Sequence, residues 1–414
     1  MRILVSTFTC LLCLLAAAQD KNLYLNPDNA AGAKASVLFE SADLIQLQTT
    51  KENSFNNIAD FLVTPDHYIF LDDAGKNIFV FAKDGQFLFK YQKKKYKIES
   101  LQYVYSKNAL FIVSRNKNYT IPQAKSQQMI TRKAAQKDFS RYVKLELLYL
   151  DRQNRQQVES LPVPAYALNT IYYFNNGYLV ENNRYDKYLK DSVAYHLLLL
   201  QNNKVIQSYF PFINLPKLPS YYQDIDFSVR NLNDTTFLVQ KGFDNTIYRL
   251  TPDSVYAEYK FVFPAAQTMP GDFQSTLFKD NIEFTNYKNK NSNAIAGFEN
   301  LLQHKNFLFF SASDNAHKNK KYLFNSLNNN LYDLGKVTTD SSIYFLPSRL
   351  LSSVSEQDSG FVYTWMSNND LIREKPNLLS KKQQLPGHIR ALLDGLNKFN
   401  NPIIIKFKTK TQAN

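Results

Sequence analysis

Seven side chains stand where recurring apolar runs of the sequence give way to polar residues: Asp73, Arg115, Asn183, Arg184, Lys241, Asp314 and Trp365, with Ser313 beside Asp314. Brought together, two guanidiniums and an ammonium would hold a carboxylate or an acidic sugar, and the indole of the single tryptophan would supply a flat ring face. The same groups admit a plainer use, in which Asp73 or Asp314 pairs with Arg115 or Arg184 and each caps a strand. Other constellations point less clearly to chemistry. Asp224 and Asp226 alternate along a strand-like stretch and so face the same way, as acid–base work would need, but no second partner is defined. The five histidines, His67, His196, His304, His317 and His388, are isolated from one another and read as surface or sheet-edge residues. The loop from Asp72 to Asn77 has oxygen ligands and a glycine without the order of a calcium loop, and reads as a turn. No zinc-peptidase, phosphate-loop or nucleophile-elbow motif occurs, so no metal and no cofactor is called for.

The elements that must position these residues repeat. The runs are YIFLDD at 68–73, LFIVSR at 110–115, YLVENN at 178–183, FLVQKG at 237–242, LFFSAS at 308–313 and FVYTWM at 361–366, beginning 42, 68, 59, 71 and 53 positions apart. Turn chemistry precedes them, as at Pro65-Asp66, Asn175-Asn176-Gly177, Asn233-Asp234 and Asp358-Ser359-Gly360, and before the turn comes another strand-like stretch, as at 58–63, 171–174 and 349–354. Five of the six runs are followed by a hairpin, turning at 83–85, 151–154, 201–203, 251–253 and 327–330. Four strands per unit, repeated radially, predict an all-β, six-bladed β-propeller. The sixth unit lacks its own hairpin, so a strand at 43–48 and one at 403–407 are expected to pair and close the ring, which hides the sheet edges. Equivalent ends of the six runs then emerge on one face around the central channel. Insertions at 122–141 and 266–296 supply long loops, and Ile389, Leu392, Leu393 and Leu396 predict a helix over 388–399.

The chain opens with Arg2, an apolar run over 3–15 and Ala16-Ala17-Ala18, the pattern of a cleaved secretory signal peptide ending near Ala18. The run is too short to span a bilayer, and no second such run follows. The expected organisation is a signal peptide at 1–18, an extension at 19–37 and the propeller over 38–412. Both cysteines, Cys10 and Cys13, fall in the leader, which excludes disulfides and thiol chemistry from the mature protein. The 31 Phe and 27 Tyr suit sheet surfaces packed without such staples. The formal charge is +13; without Arg2, 48 basic residues face 36 acidic ones, leaving +12. Export makes nucleic acid an unsuitable anionic partner and leaves acidic glycans, lipid headgroups or proteins. Scattered lysines such as Lys93-Lys94-Lys95 also keep sheet edges soluble.

These residues give the sequence a resemblance to the six-bladed β-propeller family of exported bacterial proteins, a family with no settled activity. It is carried by LIQLQTT at 44–50, YIFLD at 68–72, NIFVF at 77–81, Asp84-Gly85 and NPIII at 401–405. The resemblance implies the fold, the closure of the ring and export, and no reaction. Members commonly carry a glycine-rich connection after the first blade, whereas 90–97 here is KYQKKKYK, so a ligand contact made through that connection is not carried over. The sequence is expected to encode a periplasmic or extracellular binding module for an anionic glycan, a peptide or a protein, through the funnel face and the loops at 116–141 and 266–296. A hydrolase or lyase acting on an anionic polysaccharide and a structural subunit of a surface assembly are the other two readings.

Overall fold

The computed structural model describes residues 22–411, except 56, 119–139, 151–156, 165–169, 183–192, 214–226, 274–275 and 277. The leader at 1–18 and most of the insertion at 122–141 therefore lie outside the described residues.

The alternation of apolar and polar residues, cut by Asn-, Asp- and Gly-containing turns, folds the chain into six separate sheets in sequence order. The first is Ile58–Val63, His67–Asp72, Asn77–Ala82 and Phe87–Gln92. The second is Tyr96–Val104, Ala109–Asn116, Val143–Tyr149 and Val158–Leu161, and the third Ile171–Phe174, Gly177–Glu181, Val193–Gln201 and Lys204–Ile213. The fourth is Phe227–Asn233, Thr236–Lys241, Thr246–Leu250 and Val255–Val262, and the fifth Ile295–His304, Phe307–Asp314, Asn319–Asn325 and Asn330–Asp333. Each is an antiparallel meander. The sixth differs: Glu356–Gln357 and Val362–Met366 are followed not by a hairpin but by Ile403–Thr409, and Phe39–Gln46 forms its outer strand.

Each pair of successive sheets buries an apolar layer, and the period of two sends alternate side chains to opposite layers. In Ile403–Thr409, Ile404 packs with Phe61, Phe70 and Phe81 of the first sheet, while Ile403, Ile405 and Phe407 pack with Phe307, Phe309 and Leu323 of the fifth. Corresponding layers lie between the first and second, second and third, third and fourth, and fourth and fifth sheets. The first strands meet at the middle of the molecule, where Gln102 exchanges two 2.8 Å hydrogen bonds with the backbone of Tyr173 and the Asn231 amide donates to the Tyr103 carbonyl.

Three elements differ from the sequence expectation. Residues 349–354 were expected to be a strand but sit in a 3-10 helix, Ser348–Ser353, started by the fixed φ of Pro347, and the strand that follows has two residues. Between the last two strands of the sixth sheet lies a helix with no counterpart in the sequence reading, Asn368–Ser380, capped by Ser367 and burying Leu371 and Leu378. The helix expected over 388–399 is Gly387–Asp394 and stops at Gly395. Residues 22–34, within the stretch 19–37 read as an N-terminal extension, run along the outer sheet edges. Asn22–Tyr24 pairs in parallel with Val255–Val262, and Ala31 and Lys34 bridge to Tyr332 and Thr338.

Gly85 shows how closely the end of Phe39–Gln46 is seated. Its φ is +89°, and a Cβ there would lie 2.4 Å from the Gln46 carbonyl oxygen. Gly85→Ala is expected to cost about 3 kcal/mol in denaturant unfolding, whereas Gly271→Ala, which meets nothing within 4 Å, should change little. Equal stabilities for the two variants would show that this contact does not constrain the fold.

Candidate functional site

On the face where the second strands of the third, fourth and fifth sheets end, a cleft of about 990 Å³ opens. One wall is made by the starts of the first strands, with Tyr172, Ser228, Gly297 and Glu299, and by the ends of the second strands, with Glu181, Gln240, Ser313 and Asp314. The other is a helix within the 266–296 insertion, Asn281–Lys290, which contributes Asn281, Phe284, Thr285 and Lys288. This helix buries none of its own residues. It is held by rings: Phe243 lies 4.9 Å from Phe273, and Phe278 lies 5.5 Å from Phe284 and 5.1 Å from Tyr287. Its first amides are already taken, because Asp280 Oδ1 accepts from the amides of Ile282 and Glu283 at 2.9 Å.

Three residues lining the cleft have left-handed backbone: Phe243 at φ 60°, Asn300 at 53° and His317 at 60°. For asparagine this is ordinary; for a phenylalanine it costs on the order of 1 kcal/mol and persists only where the surroundings enforce it. The Phe243 amide is fixed by a 2.6 Å hydrogen bond to the Ala296 carbonyl, which turns the ring toward the insertion.

Three of the charged groups of the cleft have partners within the chain, and a fourth, Glu299, is exposed on the wall. Glu181 Oε1 accepts the Tyr172 hydroxyl at 2.9 Å, Asp314 Oδ1 accepts the Lys318 amide at 2.9 Å, and the Lys288 ammonium lies 5.0 Å from the Phe284 ring centroid. Burial, reinforced by Glu181, holds the Tyr172 phenol well above its ordinary range, so it remains a donor. Behind the wall, His196 is fully buried, stacked 4.2 Å from Phe212, and neither ring nitrogen has a hydrogen-bond partner among the described residues. Burial, with the Lys241 charge second, pushes its imidazole down to about 3, so it stays neutral.

Of the seven residues marked in the sequence, Asp314 lines this cleft. Asn183 and Arg184 lie outside the described residues, as do Asp224 and Asp226. Lys241 ends its strand beside Gly242 of the cleft, half-buried, its pKa lowered by burial. Arg115 is paired with Glu99 at 2.9 Å and packs over Tyr142, in the second sheet. Asp73 is exposed in a turn of the first sheet, and Trp365 packs half-buried against the layer between the sixth and first sheets. Phe243, Phe284 and Ser228 were not marked. The signal for Phe284 was present, since Phe273, Phe278, Phe284 and Tyr287 recur within an otherwise polar insertion.

A second cluster fills the middle of the molecule and was also missed. Arg230 Nη1 donates to Glu356 Oε1 at 2.8 Å, and Glu356 Oε2 accepts the Val63 amide at 3.3 Å. Burial first, and the Glu356 carboxylate second, raise Asp60 to about 7, against the Phe61 amide and Arg230. The three belong to the first strands of the first, fourth and sixth sheets, and none is among the described residues lining the cleft.

Residues 17–94 match a family model described as a 6-bladed beta-propeller. The span takes in the residues at 44–50, 68–72, 77–81 and 84–85 that carry the resemblance; 401–405 lies beyond it. The fold is an all-β propeller of mostly four-stranded sheets. A solved Bacteroides fragilis protein assigned as exported has a TM-score of 0.60 at 14% identity, covering 94% of this chain and 100% of its own, a likeness of fold alone. A puromycin-hydrolyzing peptidase of Mycobacterium tuberculosis has 0.35 at 8% identity, over 77% of this chain and 44% of its own. A Bacteroides caccae protein of unknown function has 0.32 at 10% identity, over 67% and 83%. No curated protein matches the chain. Among the described residues, no helix of the propeller is long and apolar enough to cross a membrane.

Proposed function

We propose that the chain is an exported, six-bladed propeller closed by its N- and C-terminal strands, and that it acts as a binding module whose ligand site is the cleft beside the helix Asn281–Lys290. Six blades are supported by six sheets with an apolar layer between every successive pair, the sixth and first included. Closure is supported by the seven-residue pairing of Phe39–Gln46 with Ile403–Thr409. Export is supported by the leader-like 1–18 and by the exported assignment of the Bacteroides fragilis protein. The observation that carries the binding reading is the cleft itself, since an aromatic- and hydroxyl-lined concavity of this size, roofed by an insertion, is the usual form of a ligand site. A hydrolase or lyase has less support, because Asp60, the one carboxylate raised to about 7 among the described residues, stands apart from the cleft lining. A structural subunit would leave the cleft without a role.

Gly297 tests this reading. A Cβ there would come no closer than 3.8 Å to Gln240, so a side chain can be added without backbone conflict and will occupy the cleft. Gly297→Trp is expected to keep its melting temperature within about 3 °C while losing all ligand-induced stabilisation, measured by thermal shift against glycans and peptides. A ligand that stabilises the variant as much as the parent would place binding elsewhere.

A further inference from the structure

We infer that the cleft takes a neutral, hydroxyl-rich ligand with an apolar ring face, a short uncharged oligosaccharide, and not the acidic glycan that the basic composition invites. The inference rests on the cleft being the ligand site. It is carried by which groups are spent and which are free. Glu181 and Asp314 accept hydrogen bonds within the chain and the Lys288 ammonium lies over the Phe284 ring, while Glu299, the remaining carboxylate of the wall, is exposed, so three carboxylates facing one ammonium would repel an acidic glycan. The side chains of Ser228, Ser313, Thr285 and Asn281 line the same space and make no hydrogen bond to the described residues. All four are uncharged, and each both donates and accepts, as sugar hydroxyls do.

Four further observations agree. Asn315 lines the cleft at 5% exposure, and its Oδ1 is buried without a hydrogen-bond partner, although its amide nitrogen donates to the Asn291 carbonyl at 2.8 Å. A buried acceptor left open is costly and is satisfied by a donor that enters, such as a hydroxyl. The anion site that a helix start would offer is closed, because Asp280 occupies the first amides. Phe284 and Phe243 meet edge to face with ring centroids 6.2 Å apart, an apolar aromatic patch on the cleft wall for the C–H face of a sugar. A volume of about 990 Å³ suits two or three sugar rings.

The test is calorimetric titration of the full chain with cellotriose, maltotriose, xylotriose and mannotriose, against trigalacturonate and pentalysine. At least one neutral triose is expected to bind, about tenfold more weakly to Phe284→Ala and measurably more weakly to Ser228→Val. Lys288→Met and a rise in salt should each change affinity by less than about twofold, because no ion pair is involved. Phe284 helps seat the helix against Phe243 and Phe278, so near-UV circular dichroism of Phe284→Ala checks that the aromatic cluster is kept, and Gly297→Trp, which leaves those rings in place, serves as the independent block. If trigalacturonate or pentalysine binds best, is weakened by Phe284→Ala and fades with salt, the cleft is the site and the neutral-sugar assignment is wrong. If no compound binds, or a triose binds equally to Phe284→Ala and Gly297→Trp, the cleft reading fails as well.

Discussion

A chain ending at residue 402 is expected to lose cooperative unfolding altogether. The removed strand, Ile403–Thr409, lies between Phe39–Gln46 and Val362–Met366, so its loss breaks two ladders at once and leaves the outer strand with no neighbour. Ile403, Ile404, Ile405 and Phe407 are all at 0% exposure. At about 2 kcal/mol for each fully buried side chain, the four contribute on the order of 8 kcal/mol, comparable to the whole stability of a typical domain. Far-UV circular dichroism across a thermal ramp should show a shallow, non-cooperative change, and a synthetic peptide covering 400–412 should restore a sigmoidal melt. A truncated chain that melts cooperatively within a few degrees of the intact one would show that the ring does not depend on this closure.

Arg230→Met should destabilise the protein by about 3 kcal/mol at pH 8, because Glu356 keeps only the Val63 amide while facing Asp60 across the centre. The double variant with Glu356→Gln should recover most of that loss, giving a coupling of more than about 1.5 kcal/mol in a mutant cycle. The same cluster sets a pH dependence whose sign is fixed by Asp60. Its folded pKa, about 7, is above the ordinary 3.8, so the folded state holds the proton more tightly. Stability from this group is therefore greatest at low pH and is lost as pH rises from about 4 through 7. A shift of that size corresponds to about 4 kcal/mol, which partial exposure of the side chain reduces to about 2. Asp60→Asn should accordingly raise stability by about 2 kcal/mol at pH 8 and by almost nothing at pH 4, read from urea unfolding. A gain independent of pH would assign the effect to packing instead of charge.

His196 behaves oppositely. As a buried base held neutral, with a folded pKa of about 3 against 6.5, it gives its full stability above pH 6.5 and loses it as acid is added. The two slopes oppose each other between about pH 4 and 6.5, so the pair flattens the pH dependence there, with acid loss from His196 below that window and loss from Asp60 above it.

The repeat grammar could be read from the sequence because its causes are local. A strand half-buried on each face needs apolar residues at a period of two, and a tight turn needs Asn, Asp or Gly, whatever the rest of the chain does; all six second strands fall within two residues of the runs read from the sequence. The expected partners Phe39–Gln46 and Ile403–Thr409 followed from the same logic, since an unmatched strand at each end of a radial repeat has one place to go. Where local rules competed, the sequence misled: 349–354 stands before a turn and an apolar run, where the other units have a strand, yet Pro347 and the packing of Leu350 and Leu351 set a 3-10 turn.

What tertiary structure alone decided was which ends meet and what each charge faces. Arg115 and Arg230 look alike in the sequence, but one is paired with Glu99 of its own sheet and the other crosses the centre to Glu356, 126 residues away. The basic composition pointed to an acidic ligand, whereas the cleft carries the carboxylates of Glu181, Glu299 and Asp314 against one ammonium, Lys288, beside several uncharged hydroxyl and amide groups. Composition sums charge over the whole surface, while recognition depends on the few groups left without partners in one concavity. That remainder exists only once distant segments, here the starts of three sheets and a helix from an insertion, have been packed side by side.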